Sequence, residues 1–299
     1  MTHSSNVRGI IYMVLAGLSF VSCDSFLKLM LADVPPLQSL VLRGVSATVW
    51  CFALLVVMRQ LKDLPKLLEF WTFMRTLAEV VAVSAFILGL AKVPLADITA
   101  IYQVAPLFVL AGASLMWGEH VGPVRWVLIG LGLAGALLVA QPGSASASPY
   151  ALLGFVTAVA AALRDLLSRK APADIPGFVV AFGVIIAVMV ASFVNNQLFE
   201  GWAPVPARTW AYSIGSGFFV MLGHYFVFSS FRHATARAVA PFYYCSTLAA
   251  AVYGAVFFGE WLNTLAVAGM VLIIACGLGV LAFERKNSPI RGPESFEGL

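Results

Sequence analysis

Ten mostly apolar stretches, each close to the roughly 20 residues that a helix needs to cross a bilayer, constrain this chain more than any other feature. They run near 8–31, 36–58, 70–91, 95–117, 122–140, 150–170, 176–198, 209–231, 235–258 and 262–283. Short connections rich in Pro, Gly or charge separate them, as in ADVPP at 32–36, KDLP at 62–65 and QPGSASASP at 141–149. Only 11% of the 299 residues are charged and 61% are hydrophobic, whereas a soluble domain carries about 25% charged residues. Charge this sparse cannot cover a surface facing water, which excludes a cytosolic enzyme, a secreted module and a disordered chain. The pattern predicts an all-α integral membrane protein with ten transmembrane helices. No soluble catalytic domain fits beside ten spans. The first span is long for a signal peptide and no small-residue cleavage site follows it, so it is expected to stay.

Of the 18 basic residues, twelve fall on the N-terminal side of the membrane: Arg8, Arg59, Lys62, Lys66, Arg125, Arg169, Lys170, Arg232, Arg237, Arg285, Lys286 and Arg291. Lys92 and Arg208 fall on the other side. An excess of Lys and Arg marks cytoplasmic loops, so both termini are expected in the cytoplasm. The net charge of +4 then reflects loop topology, and no nucleic-acid partner is expected. Cys23, Cys51, Cys245 and Cys276 all sit inside apolar spans, at no zinc-site spacing, and read as small packing residues.

The two halves of the chain align. At a constant shift of 141 residues Asp24 matches Asp165, Lys28 matches Arg169, Asp33 matches Asp174 and Pro35 matches Pro176. The same shift takes Pro65 to Pro206, Lys92 to His233, Tyr102 to Tyr243 and Gly118-Glu119 to Gly259-Glu260. Gly130 and Gly269, in the fifth helices, stand 139 apart, which places a two-residue loop difference before them. The chain therefore reads as a duplicated five-helix unit, 8–141 and 150–284, with a short cytoplasmic tail at 285–299. Five is odd, so the second copy enters the membrane from the opposite side. Two inverted five-helix repeats are the design of many secondary transporters, with substrate bound near the midplane between the halves.

The helix YQVAPLFVLAGASLMWGE at 102–119, the Gly-rich WVLIGLGLAGALLVAQPG at 126–143 and the second copy YYCSTLAAAVYGAVFFGE at 243–260 resemble the EamA domain of the drug/metabolite transporter superfamily, present twice over nearly the whole chain. CDSFLKLML at 23–31, Arg43, Arg75, RDLLSRK at 164–170 and ATARAVAPFYY at 234–244 resemble bacterial uptake carriers for riboflavin or S-adenosylmethionine within it. The superfamily's aromatic-amino-acid exporters are similar in architecture, but their aromatic-rich fourth-helix pattern is not reproduced around Tyr102 to Pro106. The resemblance implies a carrier of the bacterial inner membrane, with a small-molecule substrate, membrane lipid as its other partner and no cofactor. It implies a monomer or a homodimer.

Ionisable residues within spans cost roughly 2.5–3.5 kcal/mol each on insertion scales, so each is a candidate for function. Asp24 and Lys28 stand four apart on helix 1, and Asp165 and Arg169 repeat them on helix 6; residues so spaced share a helix face. Inversion puts the pairs at opposite mouths, either as alternating gates or as self-neutralised ion pairs with snorkelling cations. Asp33 and Asp174, beside prolines, suit turn chemistry. Arg75 and Glu79 form a third pair, on helix 3, without charged counterparts at 216 and 220. Glu79 lies about 15 Å along that helix, as a structural ion pair or as a proton-coupling carboxylate. Arg43 on helix 2 meets either a substrate anion or Asp24 or Glu79. His224, mid-span on helix 8, is a hydrogen-bonded packing residue or a group that titrates near neutrality. Tyr102 and Gln103, matched by Tyr243 and Tyr244, suit a planar ligand or core packing. Pro106 and Pro241 break or kink helices 4 and 9 where a cavity is lined. The Gly-rich stretches (Gly130, Gly132, Gly135; Gly269, Gly277, Gly279) allow close helix approach.

These features predict a secondary carrier for a small, heteroaromatic metabolite, riboflavin first and S-adenosylmethionine second, with export of amino acids or related metabolites as the alternative. No nucleotide loop is present to drive transport. His3, His120, His224 and His233 form no catalytic or metal-ligating constellation, so no enzyme and no metal are expected.

Overall fold

The computed structural model describes residues 3–117, 122–140, 148–172, 174–234, 242 and 244–287, and among them it forms helices and turns with no strand. The α-helices are α1 (His3–Met30), α2 (Pro36–Val57), α3 (Phe70–Leu90), α4 (Leu95–Tyr102), α5 (Ala105–Trp117), α6 (Pro123–Ala140), α7 (Leu152–Ser168), α8 (Gly177–Asn195), α9 (Ala207–His233), α10 (Cys245–Phe258) and α11 (Thr264–Asn287). A 3-10 segment, Leu61–Leu68, leads into α3, and a π-helical turn, Asn196–Glu200, closes α8. Proline starts many of them: Pro94, Pro176 and Pro206 cap α4, α8 and α9, and Pro36 opens α2. The first turn has no use for the N–H that proline lacks, so apolar runs opened by proline become helices there.

Seven helical stretches are long and apolar enough to cross a membrane, and Trp126–Val139, Cys245–Phe258 and Thr264–Gly279 are shorter apolar helices. The spans read from the sequence as fifth, ninth and tenth are these shorter three. The fourth is split. α4 ends at Tyr102 and α5 begins at Ala105, because Pro106 has no N–H for the Tyr102 carbonyl one turn back. Pro241 lies outside the described residues.

Val49, Val57, Val127 and Val256 each leave more than half of their surface uncovered by protein, on outward faces that acyl chains would cover. The interior is close-packed, with Ala136, Ala158, Ala161 and Ala250 fully buried, as expected where helices without a hydrophobic driving force must approach closely.

The strongest contacts join the halves, and they come in exchanged pairs. α1 packs on α9 as α7 packs on α3; α2 packs on α9 as α8 packs on α3; α1 packs on α10 as α7 packs on α4 and α5. The self-paired contacts are α2 with α8, α6 with α11 and α4 with α10. A two-fold relation between the repeats produces such a list, and it brings residues about 141 positions apart in sequence into matching surroundings. Gly135 and Gly269 mark one axis contact: a Cβ on either would stand 2.9 or 2.5 Å from the other's backbone carbonyl oxygen. Of the other glycines in these stretches, Gly132 adjoins Leu107, Gly277 adjoins Tyr244 and Gly279 adjoins Leu128, while Gly130 has open space.

Candidate functional site

Asp24 on α1, Arg43 on α2, Arg75 and Glu79 on α3, Tyr102 on α4, Arg164 and Asp165 on α7 and His224 on α9 form one electrostatically connected cluster. Arg43 acts on both Asp24 and His224, and His224 in turn lies within reach of Glu79 and Arg75. Tyr102 adjoins Arg164 and stacks edge-on to Phe86, with ring centres 6.5 Å apart. Six helices from both repeats thus supply three acids, three arginines, a histidine and a tyrosine. A cluster so far from sequence neighbours exists only because the exchanged helix contacts converge there.

Arg164 is its hub. Nη1 donates to both oxygens of Glu79, at 3.1 and 2.9 Å, and Nε donates to Asp165 Oδ1 at 2.7 Å. This corrects two expected pairs. Glu79 is held by Arg164 and not by Arg75, and Asp165 bonds its neighbour Arg164 and not Arg169. Charge-assisted bonds to an arginine fork are stronger than exposed pairs four residues apart, which contribute only about 0.2–0.5 kcal/mol. With both oxygens engaged, Glu79 fits the ion-pair reading. Arg75 turns to Ser168, donating from Nε at 3.0 Å, and its buried Nη1 has no hydrogen-bond partner among the described residues.

The repeat relation explains why Arg164 has no twin. Its counterpart is Cys23, and the counterparts of Arg75 and Glu79 are Ser216 and Val220. In that copy Cys23 Sγ lies 3.3 Å from Ser216 Oγ, and Ser216 donates to the Cys23 carbonyl at 3.0 Å. One packing motif therefore exists in a neutral and a charged version. Cys23 is more than filler, since Arg43 Nη1 reaches its sulfur at 3.8 Å. The Asp24 carboxylate forms no side-chain hydrogen bond to a described residue, and Arg43 is the charged group that acts on it. Cys51, Cys245 and Cys276 are free thiols on helices.

The third correction concerns Lys28, which pairs with Glu260 and not with Asp24. Gly259 takes the left-handed conformation at φ 65° and ends α10, and the Glu260 N–H returns to the Gly254 carbonyl at 2.9 Å. Only that reversal aims the Glu260 side chain back at α1, which gives the repeated Gly-Glu dipeptide its reason. Arg169 ends α7 as an exposed residue with further interactions of its own.

Asp33 and Asp174 are ion-pair acids, which the turn reading did not anticipate. Asp33 accepts from Arg208 and, at 2.6 Å, from Thr209. Asp174 accepts from Lys66 at 2.7 Å. The Arg208 and Thr209 bonds hold the Asp33 carboxyl below the ordinary range, and the Lys66 bond does the same for Asp174. The two contacts occupy matching loops at opposite ends of the helices, and each joins one repeat to the other. Around the Asp33 end, Gln38 exchanges two 2.8 Å bonds with the Ala203 backbone, and Glu200 caps α2 at the Leu37 N–H.

His224 Nδ1 bonds the Val220 carbonyl at 2.8 Å, and the ring meets Phe20 edge-on. Gln103 is buried and donates to Ser246 Oγ across the repeats at 2.9 Å. Tyr244, just before α10, is buried against Gly277 of α11. Tyr243 lies outside the described residues. Two clefts, of about 340 and 310 Å³, open near the ends of α1 and α3 and are not lined by the charged cluster. Among the described residues no group of three metal-ligating side chains occurs.

Arg164 and Glu260 are the residues that sequence reasoning left without a role. Both carried a signal: Arg164 is a charge inside a span, and Glu260 belongs to a dipeptide kept in both copies.

Known proteins share this organisation. The chain is 28% identical over 284 residues to the pseudopaline exporter of Pseudomonas aeruginosa, covering 90% of this chain and 94% of that protein. It is 26% identical to a riboflavin transporter of Rhizobium johnstonii, covering 95% and 94%. It is 24% identical to an S-adenosylmethionine uptake transporter of Rickettsia prowazekii, covering 67% of each. A solved crystal structure superposes at a TM-score of 0.65 and 18% identity, over 96% of this chain and 100% of that one, and so shares the fold. The model of the EamA-like transporter family matches twice, at 7–141 and 148–282, the same two halves whose helices exchange contacts. This chain belongs to the EamA-like transporter family, as two consecutive copies of its domain.

Proposed function

We propose that the protein is a secondary carrier that moves a small zwitterionic metabolite across the bacterial inner membrane by alternating access. The observation that carries this reading is the cluster of three acids and three arginines between the repeats, with bonding capacity left over. Among the described residues Arg75 Nη1 is buried and unpartnered, Asp24 accepts no side-chain bond, and Arg43 has one hydrogen-bond partner, the Cys23 sulfur. A ligand bearing both an anion and a cation satisfies both kinds of group, since a buried charge left unpaired is costly. S-adenosylmethionine, with carboxylate, ammonium and sulfonium, fits better than riboflavin, which carries no charge at neutral pH.

The exchanged helix contacts support ten crossings as two inverted repeats, the three shorter apolar helices included. Rocking one repeat against the other would open the cluster to each side in turn. Excess Lys and Arg on one side supports cytoplasmic termini. Export is the second reading, favoured by the 28% identity to an exporter.

Proteoliposomes loaded with labelled S-adenosylmethionine, riboflavin or aromatic amino acids test the proposal. Counterflow of S-adenosylmethionine, blocked by unlabelled S-adenosylmethionine and not by riboflavin, is the expected result. Flux of riboflavin alone would overturn the zwitterion reading. Accumulation driven in one vesicle orientation only separates uptake from export.

A further inference from the structure

The Lys28–Glu260 pair has an unexplained third member. Lys28 Nζ donates to Glu260 Oε1 and lies 3.5 Å from the Val93 carbonyl and 5.2 Å from the centre of the Phe258 ring. Glu260 Oε2 accepts the Leu95 N–H at 3.0 Å, at the first residue of α4. One carboxylate therefore ties α1, the start of α4 and the end of α10 together where α1 finishes. Asp97, two residues into α4, lies within electrostatic reach of both Lys28 and Glu260. Its Oδ1 is buried without a hydrogen-bond partner among the described residues.

Two carboxylates and one ammonium leave a surplus negative charge at a place where α4 packs against helices of both repeats. Lys28 and Glu260 are the charged groups acting on Asp97 from the elements around it. A metal ion does not suit this set: hard divalent cations take about six to eight oxygen ligands, and the lysine already stands between the acids. A single proton removes the surplus. The repeat supplies an independent indication. At a shift of 141 the sequence carries Arg169 and Glu119 in place of Lys28 and Glu260, but Ala238 in place of Asp97. The extra acid therefore has no counterpart in the other repeat.

We propose that Asp97 is the coupling-proton site of the carrier, formed with Lys28 and Glu260 at the mouth where α1 ends. Asp97 takes up a proton from the water that enters from the opposite side, while Lys28 stays on Glu260 and this mouth is closed. When Glu260 withdraws on opening, Lys28 turns to Asp97, which releases its proton to the water entering there. The proposal rests on the carrier reading, but its primary test needs no substrate.

Infrared spectra of the full-length protein in phospholipid vesicles at mildly acidic pH read the C=O stretch of a protonated carboxyl group. The expected wild-type band disappears in Asp97→Asn and persists in Glu79→Gln. Lys28→Met is expected to add a second band, absent from the Lys28→Met/Glu260→Gln double variant. If Asp97→Asn does not fold, Asp97→Glu is expected to shift the band. Identical wild-type and Asp97→Asn spectra, or loss of the band in Glu79→Gln, would overturn the proposal whatever the protein transports. In vesicles that exchange S-adenosylmethionine, Asp97→Asn is expected to keep counterflow and lose accumulation driven by a pH gradient. Accumulation retained in that variant overturns the coupling role even where the band is assigned to Asp97.

Discussion

Arg164 holds two carboxylates at once, and its removal strands both. Glu79 is largely shielded, at 15% side-chain exposure, whereas Asp165 at 46% can turn to solvent. Breaking a buried pair by removing one partner costs roughly 3–5 kcal/mol, so Arg164→Ala should lower the melting temperature in detergent clearly and reduce flux at least tenfold. Replacing both partners with apolar residues removes the stranded charge. Arg164→Leu/Glu79→Leu is therefore expected to recover most of the stability and none of the flux. A double variant that transports normally would relegate the pair to packing. Asp24→Asn belongs at the same scale. It removes a carboxylate that no described side chain hydrogen-bonds, so flux of a zwitterion should fall while stability stays within about 0.5 kcal/mol, as for a change with no cavity and no broken hydrogen bond.

At the scale of elements, α6 and α11 cross with backbone against backbone. A methyl group on Gly269 would meet the Gly135 carbonyl at 2.5 Å, and neither chain can yield as a flexible side chain would. Overpacking of this kind costs about 1–3 kcal/mol. Gly269→Ala and Gly135→Ala should each destabilise by that order in thermal unfolding, while Gly130→Ala, facing open space, should not. Equal melting temperatures in all three would refute the crossing. The α4–α5 break was legible in advance, since Pro106 ends the helix through its own covalent structure. The Gly259-Glu260 reversal was visible as a repeated dipeptide, but its purpose was not, because the partner lies in α1.

Over the whole molecule, the loops at the two ends carry matching ion pairs that join the repeats. A carboxyl held below its ordinary range stabilises the fold above its unfolded pKa, about 3.9 for Asp, and that contribution is lost as pH falls through the folded value. For Asp33, held by Arg208 and Thr209, and Asp174, held by Lys66, the melting temperature should fall on acidification below about pH 4. The step should shrink in Asp33→Asn, and an unchanged pH profile there would remove Asp33 from the account. The membrane orientation is open to a direct check with an impermeant maleimide on intact cells. Ser148→Cys should label and Lys62→Cys should not, and the reverse pattern would invert the topology.

The amino-acid sequence determined by itself that the chain is helical, apolar and duplicated, because periodic burial, proline positions and a constant shift are properties of the covalent string. It also marked most of the charged cluster, since charges inside apolar spans stand out wherever they occur: Asp24, Arg43, Arg75, Glu79, Asp165 and His224 all join it. The partners were decided only by the tertiary structure. Sequence spacing proposed Asp24 with Lys28, Arg75 with Glu79 and Asp165 with Arg169, each on a single helix. The fold chose Lys28 with Glu260 and Arg164 with Glu79, and turned Asp165 to Arg164. The physical reason is that weak neighbour pairing along one helix yields to charge-assisted bonds between helices, and packing related by a two-fold axis brings distant charges together.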